Sequence, residues 1–379
     1  MDKNKIIIGL SGGVDSSVAA FLLREQGYEV KGCFMRSFDT ETSKRECELA
    51  ERLASRIGIS FEVADGREDF LSEVVEYFLR SYMEGRTPNP CCICNRTVKW
   101  PTLMKAMKKA GADKLATGHY AGVGFDEHSG RYYIQRAERI KKDQSYALYR
   151  LSQEELSHTV MPLFSYYKED VRELARRIGL DTADKPDSQE ICFIEDGKYQ
   201  SFIMEHLDML IPADISGTER KQMLSGLRER VERKGSFVDV NGRFLGEHEG
   251  IINYTIGQRK GLGIALGKRA FVKEIRPGSC EVVLSDDEGL YAREALVSDL
   301  SFQLLAIDDN LGLSSPEGIE ATVKIRYGDR GMKARLSFTD EERNNIRIHF
   351  QEPVRAVTPG QAAVFYDDEG RILGGGTIL

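Results

Sequence analysis

Two groups of residues in this 379-residue chain have the types and spacing to do chemistry. The first is Ser11-Gly12-Gly13-Val14-Asp15-Ser16, directly after the apolar run Lys5–Leu10. A glycine-rich turn lets the backbone approach a polyphosphate, and a helix N-terminus behind it offers unpaired N–H groups and a partial positive charge. Ser11, Ser16 and Ser17 add hydroxyl donors. The loop matches neither G-x-x-x-x-G-K-[ST] nor G-x-G-x-x-G. The nearest other candidate, GLGIALGKR at 261–269, has the wrong spacing and reads as a turn with a basic rim. Asp15 has two readings, a metal ligand or a carboxylate that bonds the N–H groups of its own loop. The second group is the thiols. Thr87 to Arg96 (TPNPCCICNR) is a proline-framed segment leading into a helix, where a dipole would stabilise the Cys94 thiolate. Asp187–Phe193 (DSQEICF) carries Cys192, far off in sequence but just after a helix of the same half. Two such thiols beside a phosphate loop point to sulfur chemistry driven by a nucleotide.

The elements that must position these groups follow from the hydrophobic pattern. Short apolar runs at Lys5–Leu10, Tyr28–Cys33, Phe61–Val63 and Lys114–Thr117 alternate with helix-period segments at Ser16–Gln26, Cys47–Ile57, Phe70–Tyr82, Leu103–Ala110 and Val171–Ile178. That order predicts a parallel sheet with helices on both faces. Gly122–Gln135 reads as an inserted hairpin, turned at Asp126–Gly130. After Lys198 the pattern changes to a charged helical stretch, Thr218–Arg233, and then to short strands with turn signals. Val323–Ile325, Ala334–Phe338, Ile346–Phe350 and Ala362–Tyr366 are strands of this kind and predict a small barrel. Cys33 and Cys47 fall on a strand and an apolar helix face and read as packing residues, while Cys280 is assigned no role. His128, His158, His206 and His349 lack a motif.

Composition sets outer bounds. With 41% hydrophobic and 30% charged residues the chain is globular rather than disordered, and its length predicts two or three domains. It shows no apolar run long enough to span a bilayer and no signal-peptide pattern, so the expectation is a soluble cytoplasmic protein with no membrane and no DNA partner. Seven cysteines argue for reduced thiols, metal binding or catalysis over a disulfide scaffold. The net charge of −7 argues against non-specific polyanion binding, yet the basic residues are grouped. Residues 131–142 hold five basic and one acidic side chain, 256–276 six and one, and 324–335 five and one. A structured RNA needs such a track rather than a basic protein.

SGGVDS after a first strand resembles the pyrophosphate-loop ATPases, which transfer AMP to a carbonyl-type oxygen. TPNP…CNR, ATGHY (116–120), KDQSY (142–146), DSQEICF, GEHEGIINYTIGQRKGLGI (246–264), KIRYGD (324–329) and TPGQAAVFYDDEGRILGGGTI (358–378) together resemble the tRNA-specific 2-thiouridylase family nearly end to end. The resemblance implies a Rossmann-like pyrophosphate-loop domain over 1–204, a central domain over 205–276 with a charged helical insertion, and a C-terminal tRNA-binding β-barrel over 277–379. It implies ATP-dependent 2-thiolation of the wobble uridine in tRNAs for lysine, glutamate and glutamine, with Mg²⁺ and a persulfide donor protein. Gly9, Leu10, Ser11, Gly12, Gly13, Val14, Asp15, Ser16, Met35 and Gly118 correspond to ATP-binding positions. Cys192 corresponds to the persulfide carrier and Cys94 to its partner, with a transient disulfide between them. Asn89, Pro90 and Cys91 correspond to target-base contacts, and His119, Lys142, Asp143, Gln144, Arg326, Tyr327 and Gln361 to tRNA contacts.

Two departures stand out. Relatives often carry aspartate where this chain has Cys91, which creates a C-x-x-C pair. Cys91, Cys94 and Cys192 then form an iron–sulfur ligand set, a zinc site short of its usual four ligands, or a plain substitution beside the persulfide route. The stretch 214–234 is longer than the usual link and reads as a surface helix. An amide-forming ligase would need the phosphate loop but neither Cys94 nor Cys192. A nucleotide-dependent RNA-binding protein without catalysis would keep the basic track and could lose both cysteines without consequence.

Overall fold

A computed structural model describes residues 2–139, 142–184, 191–194, 197–305, 311–315 and 317–379. Strands β1 (Asp2–Gly9), β2 (Glu29–Arg36), β3 (Ser60–Asp65) and β4 (Ala112–Ala116) pair in parallel. The hairpin β5 (Ala121–Asp126) and β6 (Arg131–Arg136) follows, and the short β7 (Thr159–Val160) closes a sheet ordered β3-β2-β1-β4-β7. Ile6 and Ile8 of β1 face one apolar cluster and Ile7 the other, as alternation on a strand buried on both faces requires. Helices α1 (Val14–Glu25) and α2 (Glu41–Ile57) cover the first face, and Trp100–Ala110 covers the second. Thr40 caps α2 by accepting from Ser43 N at 3.0 Å, and left-handed Gly58 ends it. The chain leaves β1 toward β2 and β3 but returns with β4 on the opposite side of β1. Ligands of open parallel sheets bind at that switch, outside the C-terminal strand ends.

The helix expected over 70–82 runs from Arg67 to Met83, with a wide i→i+5 turn at Leu71–Val75. A second such turn, Asn95–Lys99, interrupts the helix that begins at Pro90 and ends at Ala110.

The central sheet comprises β8 (Gly235–Asp239), β9 (Phe244–His248), β10 (Phe271–Arg276) and β11 (Glu281–Ser285) in the order β10-β11-β8-β9. The expected break at 276/277 therefore cuts an antiparallel pair, since Arg276 of β10 sits opposite Glu281 of β11. The expected break at 204/205 likewise falls in the last turn of helix Tyr199–Glu205. The insertion forms helix Gly217–Glu232, which buries Val231 and leaves most of its other side chains at the surface.

Strands β12 (Tyr291–Phe302), β13 (Ile319–Lys324), β14 (Met332–Phe338), β15 (Ile346–Arg355), β16 (Ala362–Tyr366) and β17 (Ile372–Ile378) close a barrel ordered β12-β15-β14-β13-β16-β17. Val297, Leu336, Ile348 and Phe365 fill it. The barrel does not hang from a linker. Ala362, Val364, Tyr366 and Ile372 share one apolar cluster with Ile7, Trp100, Leu115 and Tyr146 of the first domain. Tyr146 Oη donates to Ala362 O at 2.7 Å, and Gln303 joins Ile134 N and Leu148 O, both at 2.9 Å. Among the described residues no helix is long and apolar enough to cross a membrane.

Candidate active site

The SGGVDS loop lies at the switch between β1 and β4. Gly9 ends β1, Leu10 N donates to Cys33 O of β2 at 2.9 Å, and Met35 lies near the C-terminal end of β2. Gly12 adopts φ +73°, and a Cβ there would lie 2.9 Å from Glu46 O, so glycine is required twice over. Gly13 caps α1 without a side-chain bond, which leaves first-turn N–H groups for an anion. Ser16 Oγ accepts from Ser11 N at 3.2 Å and donates to Gly13 O at 3.2 Å, so this hydroxyl ties the loop across itself. Val14 is buried beneath the loop. Gly118 crosses so close to α1 that a Cβ would lie 2.6 Å from Ser16 N.

Asp15 is clamped. Both carboxylate oxygens accept from Lys168 Nζ at 2.7 Å, and Oδ1 also accepts from Tyr120 Oη at 2.7 Å. Lys168 is buried, so its charge needs this partner, and the structural reading of Asp15 is the better supported of the two. A lone lysine at 168 carries no motif, and sequence reasoning passed over it.

The cysteines sit above the other strand ends. Pro90 opens the helix, so Cys94 is its fifth residue rather than part of an exposed first turn. Its thiol is pushed up to about 11 by burial and by Cys91, against a lowering pull from the Lys99 ammonium and backbone N–H. The expected dipole-stabilised thiolate is thus overturned by desolvation. Cys192 lies outside the core, but Phe193 anchors its segment, packing edge-on against Phe70 and Phe78 with ring centroids 5.4 Å away. Cys94 belongs to the same apolar cluster as Phe193. Burial raises the Cys192 thiol most, and the Cys94 and Cys91 charges are near enough to raise it further. Cys91 is raised by burial as well. Cys91 and Cys192 keep exposed surface, so solvent offsets part of that crowding. Lys99 acts on all three thiols, and no described carboxylate pairs with it. Residues 187–190 of the DSQEICF motif lie outside the described residues.

Among the described residues no three His, Cys, Asp or Glu side chains are arranged to hold a metal ion. Cys91, Cys94 and Cys192 as they stand do not fit an iron–sulfur or zinc ligand set.

The expected RNA contacts divide. Asn89 precedes the Pro90 helix without capping it, and no described group bonds its amide, while Pro90 is buried. Half-buried His119 accepts from or donates to Thr117 Oγ1 at 2.8 Å through Nδ1. Burial first, then Lys99, pushes its pKa down to about 3, so it is neutral at physiological pH and cannot serve as a cation for phosphate. Gln144 Oε1 accepts from Tyr120 N at 2.9 Å, and Lys142 lies two residues ahead of it. Asp143 is buried with Lys324 Nζ 3.6 Å and Arg136 Nε 3.5 Å away, so its side chain is turned inward between the barrel and the hairpin. Arg326 donates to the carbonyls of Arg355 and Ala356, which leaves Tyr327 exposed beside it. Gln361 Nε2 donates to Thr87 O at 2.8 Å, and Thr87 N donates to Pro359 O at 2.9 Å. The barrel therefore holds the TPNP segment directly, a role the motif alone did not disclose.

Comparison with known proteins matches three stretches in the same order. Residues 4–196 fit the tRNA methyl transferase HUP domain, 227–286 the tRNA methyl transferase PRC-barrel domain and 303–378 the Aminomethyltransferase beta-barrel domain. The tRNA-specific 2-thiouridylase MnmA of Clostridioides difficile is 42% identical, over 99% of this chain and 98% of its own. That of Carboxydothermus hydrogenoformans is 44% identical, over 99% and 98%. The chain belongs to the tRNA-specific 2-thiouridylase family. As a 2-thiouridylase it is a sulfurtransferase of the tRNA-modifying class. Among solved structures, the U34-tRNA thiolase NcsA of Methanococcus maripaludis, with its [4Fe-4S] cluster, is 19% identical over 61% of this chain and 74% of its own, at a TM-score of 0.35.

Proposed function

We propose that the protein replaces the C2 oxygen of the wobble uridine of tRNAs for lysine, glutamate and glutamine with sulfur, using ATP. The observation that carries this reading is the meeting of Cys94 with the Cys192 segment in one cluster beyond the strand ends that hold the phosphate loop. The loop's free N–H groups would hold the triphosphate while C2–O attacks the α-phosphate and pyrophosphate leaves. A magnesium ion would neutralise charge on the pyrophosphate, held by the phosphates themselves because Lys168 occupies Asp15.

Exposed Cys192 accepts a sulfane sulfur from a donor protein and carries it as a persulfide. The terminal persulfide sulfur forms a bond to C2, and the C2–O bond breaks with its electron pair leaving on AMP. Cys94 then gives its proton to solvent and attacks Cys192 Sγ. The S–S bond to the substrate breaks, its electron pair stays on the sulfur at C2, and a Cys94–Cys192 disulfide remains. A two-electron thiol reductant restores both thiols. Asn89, with its unengaged amide, and Cys91 line the approach to the base, and exposed Tyr327 offers a face for a stacked one.

The test is nucleoside mass spectrometry for 2-thiouridine after incubation with ATP, Mg²⁺, a persulfide donor and unmodified tRNA. Cys192→Ser should lose the product yet keep ATP and tRNA binding. Full activity in that variant removes Cys192 from the mechanism.

A further inference from the structure

We infer that Gln258–Ala270, on the central sheet, is a phosphate-binding bowl that grips the tRNA backbone apart from the residues assigned to the target base. The inference rests on the tRNA reading above and adds a site to it.

From Ile251 to Lys273 the chain has no Asp or Glu but holds Arg259, Lys260, Lys268, Arg269 and Lys273. Gly261, Gly263 and Gly267, with φ of +75°, +69° and +69°, fold this segment back on itself. Leu262 is buried, and Ile264 and Leu266 pack on the cluster around Phe237 and Tyr254, which fixes the apolar side of the segment to the sheet. The four cations from Arg259 to Arg269 stay on the exposed side. An open depression of about 810 Å³ there is lined by Arg259, Lys268 and Arg269 together with the glycine-rich stretch 261–267.

Elsewhere on the surface many cations are paired. Arg276 pairs with Glu274 and Glu281, Lys234 with Glu249, and Arg67 with Asp39 and Asp65. Among the described residues no carboxylate pairs with Arg259, Lys260, Lys268 or Arg269. Like charges gathered without a counter-charge repel, and a polyanion relieves that repulsion. With a net charge of −7 on the whole chain, attraction for a polyanion is confined to its basic groups, of which this is one.

The bowl also joins the path already assigned to RNA. A Cβ on Gly257 would lie 3.1 Å from Ala356 Cβ, and Arg326 donates to Ala356 O at 2.6 Å. Tyr327 follows Arg326, and two residues on from Ala356 the chain enters Thr358–Gln361, which holds Thr87 and the cysteine segment. Cations on that path, spread along an open wall, suit successive phosphates of a strand better than one small anion.

The experiment compares wild type with the Lys268→Gln/Arg269→Gln variant, binding unmodified tRNA without ATP at 50 to 200 mM salt. Each lost phosphate contact lowers the slope of log affinity on log salt by about 0.7–0.9. Two contacts lower it by about 1.5, so over this fourfold rise in salt the wild type should lose about eightfold more affinity than the variant. The charge-keeping Lys268→Arg/Arg269→Lys variant should keep the wild-type slope. Wild type that binds no tRNA refutes the tRNA reading itself. Wild type and variant with equal slopes overturn the bowl alone, as does a variant impaired only in sulfur uptake from the donor protein, which would make the bowl a protein-docking site.

Discussion

Replacing Lys168 with methionine separates a structural Asp15 from a metal-binding one. Two unit charges 2.7 Å apart attract by about 6 kcal/mol at an effective dielectric near 20. Desolvating the buried ammonium costs several kcal/mol of that. Asp15 keeps 31% of its side chain exposed, so water recovers part of what it loses when Lys168 goes. Tyr120 Oη still donates to it. The net destabilisation is about 1–3 kcal/mol, read as a fall in unfolding midpoint of a few degrees. The functional effect should exceed the structural one, because an uncompensated carboxylate then faces the triphosphate. ATP affinity, measured by titration calorimetry with and without Mg²⁺, should fall about tenfold in both. Asp15→Asn should restore most of it in the Lys168→Met background. If Lys168→Met instead tightens Mg²⁺-dependent ATP binding, the carboxylate was a metal ligand held in reserve and the clamp reading is wrong.

Gly118→Ala places a methyl 2.6 Å from Ser16 N, where only backbone movement can relieve it, so ATP binding should be lost while tRNA binding persists. Retained ATP affinity would show that the Gly118 strand end can yield. With its thiol near 11, Cys94 should alkylate about tenfold faster per pH unit between pH 7 and 10, as the thiolate fraction grows. Lys99→Met removes the nearby cation and should slow that reaction at every pH in this range, and Lys99→Arg should restore it. A rate indifferent to Lys99 would make the residue a spectator.

The sequence was most legible where chemistry is local. Residues 9–16 show their role through one short turn between an apolar strand and a helix, and the C-terminal strands show through alternation. The two thiols were readable as a pair only because each sat in a distinctive run. Long-range partners left no such trace: Lys168 is one lysine among helix-surface charges, and its bond to Asp15 exists only once α1 meets helix Lys168–Arg177. The burial of Asp143 was not legible either, because Lys324, one of the cations beside it, comes from a strand far along the chain. Cys94 misled because the helix starts at Pro90, which buries the thiol instead of presenting it. The wide turns each shift the helical repeat by about one residue, a change too local to stand out in the apolar pattern.

Gly360 N donates to Ile378 O and Ile378 N to Gln361 O, both at 2.9 Å, and Gln361 in turn grips the loop before the cysteines. During synthesis, then, Cys94 emerges long before the strand that steadies its surroundings. A nascent chain halted between α1 and β17 has its phosphate loop but not the barrel strand that steadies the segment before the cysteines. The loop before the cysteines therefore gains its hold from Gln361 only when the last strand of the barrel has been made.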